Sequence, residues 1–135
     1  MTKIIYSNSD GTVSIITPIG DIERAKQDVP SGTAYEVVED NKLPTDRTFR
    51  NAWVKGSGVV TEDVTKAKAI AHDTRRIKRA AEFKPHDDVI ALNIPGSDTS
   101  GAETSRASIR TKYATMQTNI DNATDIAGFK TALGG

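Results

Sequence analysis

The chain has no cysteine, which excludes disulfides, thiol nucleophiles and every thiolate metal site together. Aromatic residues make up only 5 % and hydrophobic residues 36 %, below the roughly 45–50 % apolar usage of ordinary soluble domains. The private core is therefore expected to be thin, with burial completed by copies of the chain or by partners. Neither sign of charge is in excess, with 18 Lys and Arg against 18 Asp and Glu, so no global field favours nucleic acid or an anionic membrane. No run approaches the ~18 apolar residues of a membrane span, and the opening Met1-Thr2-Lys3-Ile4-Ile5-Tyr6 lacks the apolar stretch of a secretory signal. The expected location is a cytosol, or a particle assembled in one. Phosphate-binding and nucleophile motifs are missing too: there is no Gly-x-x-x-x-Gly-Lys, no Gly-x-Gly-x-x-Gly after a strand and no Gly-x-Ser-x-Gly.

What is present begins with two β-rich runs, Lys3 to Ser7 and Thr12 to Thr17, around Asn8-Ser9-Asp10-Gly11. A glycine there supplies the positive φ of a tight turn, so residues 2–17 read as a β-hairpin. Asp21 can cap a short helix to about Gln27, and Ala34 to Val38 supplies a third strand, without which a two-stranded hairpin would be marginal. The stretch Leu43 to Val54 has no clean period, yet holds Phe49 and the only Trp, Trp53. Either those rings plug the open face of the sheet, or Arg47, Phe49, Arg50 and Trp53 form a partner-binding surface, since Arg and Trp are enriched in hot spots. Gly56-Ser57-Gly58 reads as a flexible joint. It divides a β-rich module, residues 1–55, from a helical module, residues 61–135.

Thr61-Glu62-Asp63 opens a long helical run to about Phe83, which Lys84-Pro85 should stop. Val64, Ala67, Ile70, Ala71, Ile77 and Ala81 form its expected apolar stripe. A second helix is expected from about Ala102 to Asn122, with Ile109, Tyr113, Met116 and Ile120 on one face, and a last short one capped by Thr124. The expected fold class is α+β: a small antiparallel three-stranded sheet with a short helix, then a helical hairpin and a short C-terminal helix.

The first long helix carries Lys66, Lys68, Arg75, Arg76, Lys78, Arg79 and Lys84, and 100° per residue places Lys68, Arg75 and Arg79 on one side. A solvated basic face is one reading of residues 66–84, and a nucleic-acid surface is the weaker one, because interleaved aromatics and a basic excess are missing. The two histidines, His72 and His86, have acids only at adjacent positions, which point apart on a helix. No metal, cofactor or catalytic residue is assigned.

Three stretches together carry a resemblance: the Ile4-Ile5-Tyr6 hairpin with Asp10-Gly11, then Asp28 to Val38, then Pro44 to Trp53, with the helix Asp63 to Phe83 behind them. Over roughly residues 1–83 the chain resembles small proteins encoded among the virion and tail genes of tailed bacteriophages. The second half more loosely resembles the helical ends of phage tail-assembly chaperones. The resemblance implies a non-enzymatic structural or assembly part, tail-associated, in contact with other phage structural proteins and itself oligomeric. It places the protein in the virion, or in the host cytoplasm during assembly. The alternative is a soluble assembly chaperone or host-directed adaptor that never enters the particle.

Overall fold

Alternation of β-branched residues builds strands β1 (Thr2–Ser7) and β2 (Val13–Ile16), which pair antiparallel with Ile5 opposite Ile15 and Ser7 opposite Val13. The turn between them is closed from both directions. The Asn8 amide donates to the Thr12 carbonyl at 2.8 Å, Asp10 Oδ1 accepts from the Thr12 amide and hydroxyl at 2.9 and 2.6 Å, and Gly11 takes φ +84°. β3 (Tyr35–Glu39) pairs antiparallel with β1, giving the order β2-β1-β3. The computed structural model, which describes every residue from Met1 to Gly135, is thus α+β: this three-stranded sheet, then helices. Between β2 and β3, Asp21 caps the short helix α1 (Ile22–Ala25) by accepting from the Glu23 amide, and a 3-10 turn continues it to Asp28.

The segment without a sequence period forms a second hairpin. β4 (Trp53–Lys55) and β5 (Val60–Glu62) pair antiparallel, with Gly56-Ser57-Gly58 in the turn between them. Here the boundary expectation is corrected. Glycines at 56 and 58 serve a tight turn, with the Gly56 amide on the Val59 carbonyl at 2.8 Å and Gly58 at φ +69°, so they do not form a free joint. The compact units are Met1–Ala67 and Lys68–Gly135. In the first unit Ile5, Val13, Val38, Trp53 and Val60 form one buried cluster, with Ile15 and Leu43 packed on it. The strand alternation explains the membership: Ile5, Val13, Ile15 and Val38 share a sheet face, and Trp53 and Val60 share a face of the β4–β5 hairpin.

Helix α2 runs from Val64 to Leu92. Its N-terminal acceptor is Asp63, which takes the Lys66 amide at 2.9 Å, while Thr61 and Glu62, expected to open the helix with it, belong to β5. Pro85 lies inside the helix and does not end it. A proline removes one intrahelical hydrogen bond. Contacts on both sides hold the helix through that defect: Lys84 reaches Asp88 at 2.9 Å across the proline, Asp87 pairs with Arg106 at 2.9 Å, and the neighbouring Phe83 is buried. Helix α3 (Thr99–Asn122) is capped by Asp98 and buries Ala102, Ile109, Tyr113, Met116 and Ile120. The pairs His72–Asp121, Glu82–Lys112 and Asp87–Arg106 step along α2 and α3 in opposite chain directions, so the two are an antiparallel hairpin. Helix α4 (Ile126–Ala132) is capped by Asp125, not Thr124, and seals its end with the Gly134 amide on Thr131 and the Gly135 amide on Lys130.

The stripe on α2 also differs from the expected one. Ala67 and Ala71 are fully buried, but Ile77 is 71 % exposed, Val64 is exposed and Ala81 lies at the surface. The buried line instead continues through Arg75 and Phe83. These recur at multiples of four, so each lies within about 40° per step of the last, whereas Ile77 sits about 200° from Arg75.

Candidate functional site

The first candidate cluster is assembled by the 3-10 turn Arg50–Ala52 that leads straight into β4. Just upstream, Asp46 Oδ1 accepts from the Thr48 amide and hydroxyl at 2.9 and 2.6 Å, the same local device that closes the β1–β2 turn. Arg50 donates through Nη2 to the Val13 carbonyl at 2.6 Å, and its Cζ lies 4.5 Å from the centre of the Trp53 ring. Arg47 lies 5.6 Å from the same ring. The sequence grouping of Arg47, Arg50 and Trp53 is therefore a spatial one. Its rings are inside, however: Phe49 is 2 % and Trp53 1 % exposed, so neither is offered to a partner and only Arg47 presents an exposed side chain. The two guanidiniums act as a lid on the indole, where cation–π attraction and burial of their stems favour them over free solution. Burial holds the Arg50 guanidinium below its ordinary pKa. The Trp53 Nε1–H has no acceptor.

A second polar feature fixes the β4–β5 hairpin to the sheet. Glu36 Oε2 accepts from the Gly58 amide at 2.9 Å and from Lys55 Nζ at 3.0 Å, and these bonds, the amide first, hold its carboxyl below the usual range. Glycine at 58 meets the positive φ, and its amide is what the carboxylate reads.

The basic helix face expected at Lys68, Arg75 and Arg79 is broken up. Lys68 Nζ donates to the Asp121 carbonyl at 3.1 Å, and Lys78 Nζ to the Leu133 carbonyl at 3.1 Å, so each lysine meets the carbonyl-rich end of a neighbouring helix. Arg75 is turned inward and is 8 % exposed. His72, expected to be isolated, is bonded on both ring nitrogens: Nε2 lies 2.9 Å from Asp121 Oδ1, and Nδ1 accepts from Arg75 Nε at 3.4 Å. A guanidinium only donates, so Nδ1 is the acceptor in the contact with Arg75. The adjacent Asp73 pairs with Arg76 at 2.7 Å instead.

Arg75 and Arg79 line a cleft of about 330 Å³ between α2 and α3, together with Arg76, Arg110 and Tyr113. A neighbouring cleft shares Arg79 and Arg110 and adds Phe83 and Arg106. Arg79 Cζ stands 4.6 Å from the centre of the Phe83 ring. The α3 side of the clefts has a sequence signal of its own: Arg106, Arg110 and Tyr113 recur at four and three residues and so share a helix side. Tyr113 hydrogen-bonds Glu82, and burial first, then that bond, push its phenol up to about 12. Glu82 is held below its usual value first by Lys112, 2.6 Å away, and then by Tyr113.

The second unit contains ten Lys and Arg and eight Asp and Glu. Its acids are all engaged: Asp98 and Asp125 cap helices, Asp121 holds His72, and the others pair with cations, among them Glu103 with Arg106 and Arg110 at 2.8 and 3.1 Å. Arg75 and Arg79 receive none of them. No three His, Asp or Glu side chains converge into a metal-sized cluster, and no helix is long and apolar enough to cross a membrane. Comparison with protein-family models, curated proteins and solved structures finds no match to the chain.

Proposed function

We propose that the protein is a non-enzymatic structural or assembly component of a tailed bacteriophage, tail-associated in the virion, and that it works through protein–protein contacts. The observation that supports this reading most is the tip of the α2–α3 hairpin. Over one short stretch, Val89 and Ile90 are half-buried, Leu92 is 67 % exposed and Ile94 56 % exposed. Scattered apolar residues on a surface are ordinary, but several within six positions at one end of a helical hairpin form the kind of patch that marks a contact site. The edge strand β3 adds exposed Tyr35 and Val37 on one face of the sheet. The resemblance of residues 1–83 to phage virion and tail proteins supplies the biological setting, and a homo-oligomer built through the tip is the assembly expected of it.

The test is Leu92→Ser combined with Ile94→Ser. Both side chains are exposed, so the expected melting midpoint is close to that of the parent chain. Sedimentation of the parent is expected to show an oligomer, or co-purification of a stoichiometric partner, and the double variant is expected to lose it. Unchanged association in the double variant would remove the tip from the proposal.

A further inference from the structure

We infer that the α2–α3 cleft is a binding site for a doubly charged phosphate group, either inorganic phosphate or a phosphate monoester. Arg75 is a largely buried residue that lines the cleft, and beyond the contact of Nε with His72 its guanidinium meets no acceptor of the chain and opens its remaining N–H groups to the cleft. A guanidinium in a cleft is ordinarily met by a carboxylate through paired, charge-assisted hydrogen bonds. Here every acid of the unit is committed elsewhere, and the two guanidiniums left without one, Arg75 and Arg79, face the same space.

The chemistry of the missing anion follows from that surplus. Two guanidiniums without a carboxylate partner suit an anion of about two charges. A phosphate monoester carries about −1.5 to −2 near neutral pH and presents three strong acceptor oxygens, whereas a carboxylate brings a single charge. Guanidinium forks suit phosphate oxygens through paired, directed hydrogen bonds, which an ammonium cannot reproduce. His72 fits this reading as a positioning residue: its bond to Nε fixes the plane of Arg75, and Asp121 in turn fixes His72. Arg110, whose partner Glu103 is half-exposed, stands at the rim of the same cleft. A polymeric nucleic acid is the less favoured ligand. Each of its phosphodiesters carries one charge, and the lysines of α2 that would track a backbone, Lys68 and Lys78, are occupied by helix-end carbonyls.

The experiment is calorimetric titration of the full chain at constant ionic strength in chloride with four probes: inorganic phosphate, phenyl phosphate, dimethyl phosphate and a single-stranded thymidine oligonucleotide. The expected result is saturable one-to-one binding of one or both of the first two, with dimethyl phosphate at least about tenfold weaker, as the loss of a charge-assisted hydrogen bond implies. Preference for phenyl phosphate over inorganic phosphate identifies a phosphate carried on a larger molecule, and the reverse identifies free phosphate. Arg79 is exposed, so Arg79→Gln should fold, and it is expected to weaken binding about tenfold or more, while Arg79→Lys restores only part and Lys42→Gln, outside the cleft, changes nothing. Dimethyl phosphate binding as tightly as the dianions, the oligonucleotide binding more tightly than either, or an Arg79→Gln titration identical to that of the parent would each overturn the inference. This result is independent of the association state measured for the hairpin tip.

Discussion

At the scale of single residues, the aromatic scarcity of the chain decides where substitutions hurt. Trp53 fills the centre of the first unit's cluster, and Trp53→Ala is expected to cost about 3–5 kcal/mol, the usual range for removing a large ring from a core. Trp53→Phe should cost markedly less, because it keeps a ring and also removes an indole N–H that has no acceptor. Urea unfolding followed by circular dichroism measures both. Arg50→Ala uncovers the Trp53 ring and takes the donor from the Val13 carbonyl, for an expected loss of about 1–3 kcal/mol. At Ile77, 71 % exposed, replacement by Asp is expected to stay within about 0.5 kcal/mol of the parent, as surface changes do. The sequence could name Phe49 and Trp53 as rings needing a destination, but composition alone could not choose between core and partner. The choice was made by residues far away in sequence, Ile5, Val13 and Val38, which form the face that receives Trp53.

At the scale of elements, local chemistry was legible where it was self-contained. The β1–β2 turn, the Asp21 cap, strand β3 and the α3 stripe all rest on residues within a few positions of one another, and each is found at or close to its expected place. The failures share a physical cause, which is tertiary context. Gly56-Ser57-Gly58 has the composition of a joint, and a carboxylate from β3 makes it a held turn. Pro85 has the effect of a helix stop in isolation, and ion pairs around it carry the helix on. Since that proline still removes a hydrogen bond, Pro85→Ala is expected to stabilise the second unit, by up to about 3 kcal/mol, read from its urea midpoint. The Glu82–Tyr113 pair links α2 to α3 and gives a pH signature. The carboxyl is held low in the fold, so its contribution is present above the ordinary carboxylate value and is lost as pH falls through the lower folded value. The phenol is held high, so its contribution is complete below the ordinary value of 10.0 and is lost as pH rises from there to about 12. Tyr113→Phe should abolish the alkaline loss of stability and leave a weakened acid one.

At the scale of the whole molecule, neutrality of the total charge conceals an uneven distribution. The first unit holds eight Lys and Arg against ten Asp and Glu, and the second holds ten against eight. A net charge of zero argued against a polyanion as ligand, and that argument concerns long-range fields. It has no bearing on two arginines gathered in one cleft, and this is why the arginine site was invisible in composition. The basic residues themselves were visible on the α2 sequence, but their separation into lysines that meet helix ends and arginines that face a cleft depends on α3 and α4. The proposed function rests at this scale on the exposed apolar tip of the α2–α3 hairpin. The most direct measurement of the central proposal is the copy number of the protein in purified particles, obtained by quantitative mass spectrometry against the major capsid protein. The account expects a fixed ratio, set by the symmetry of the part it builds and constant between preparations. Absence from particles whose assembly nevertheless depends on it would contradict a place in the virion.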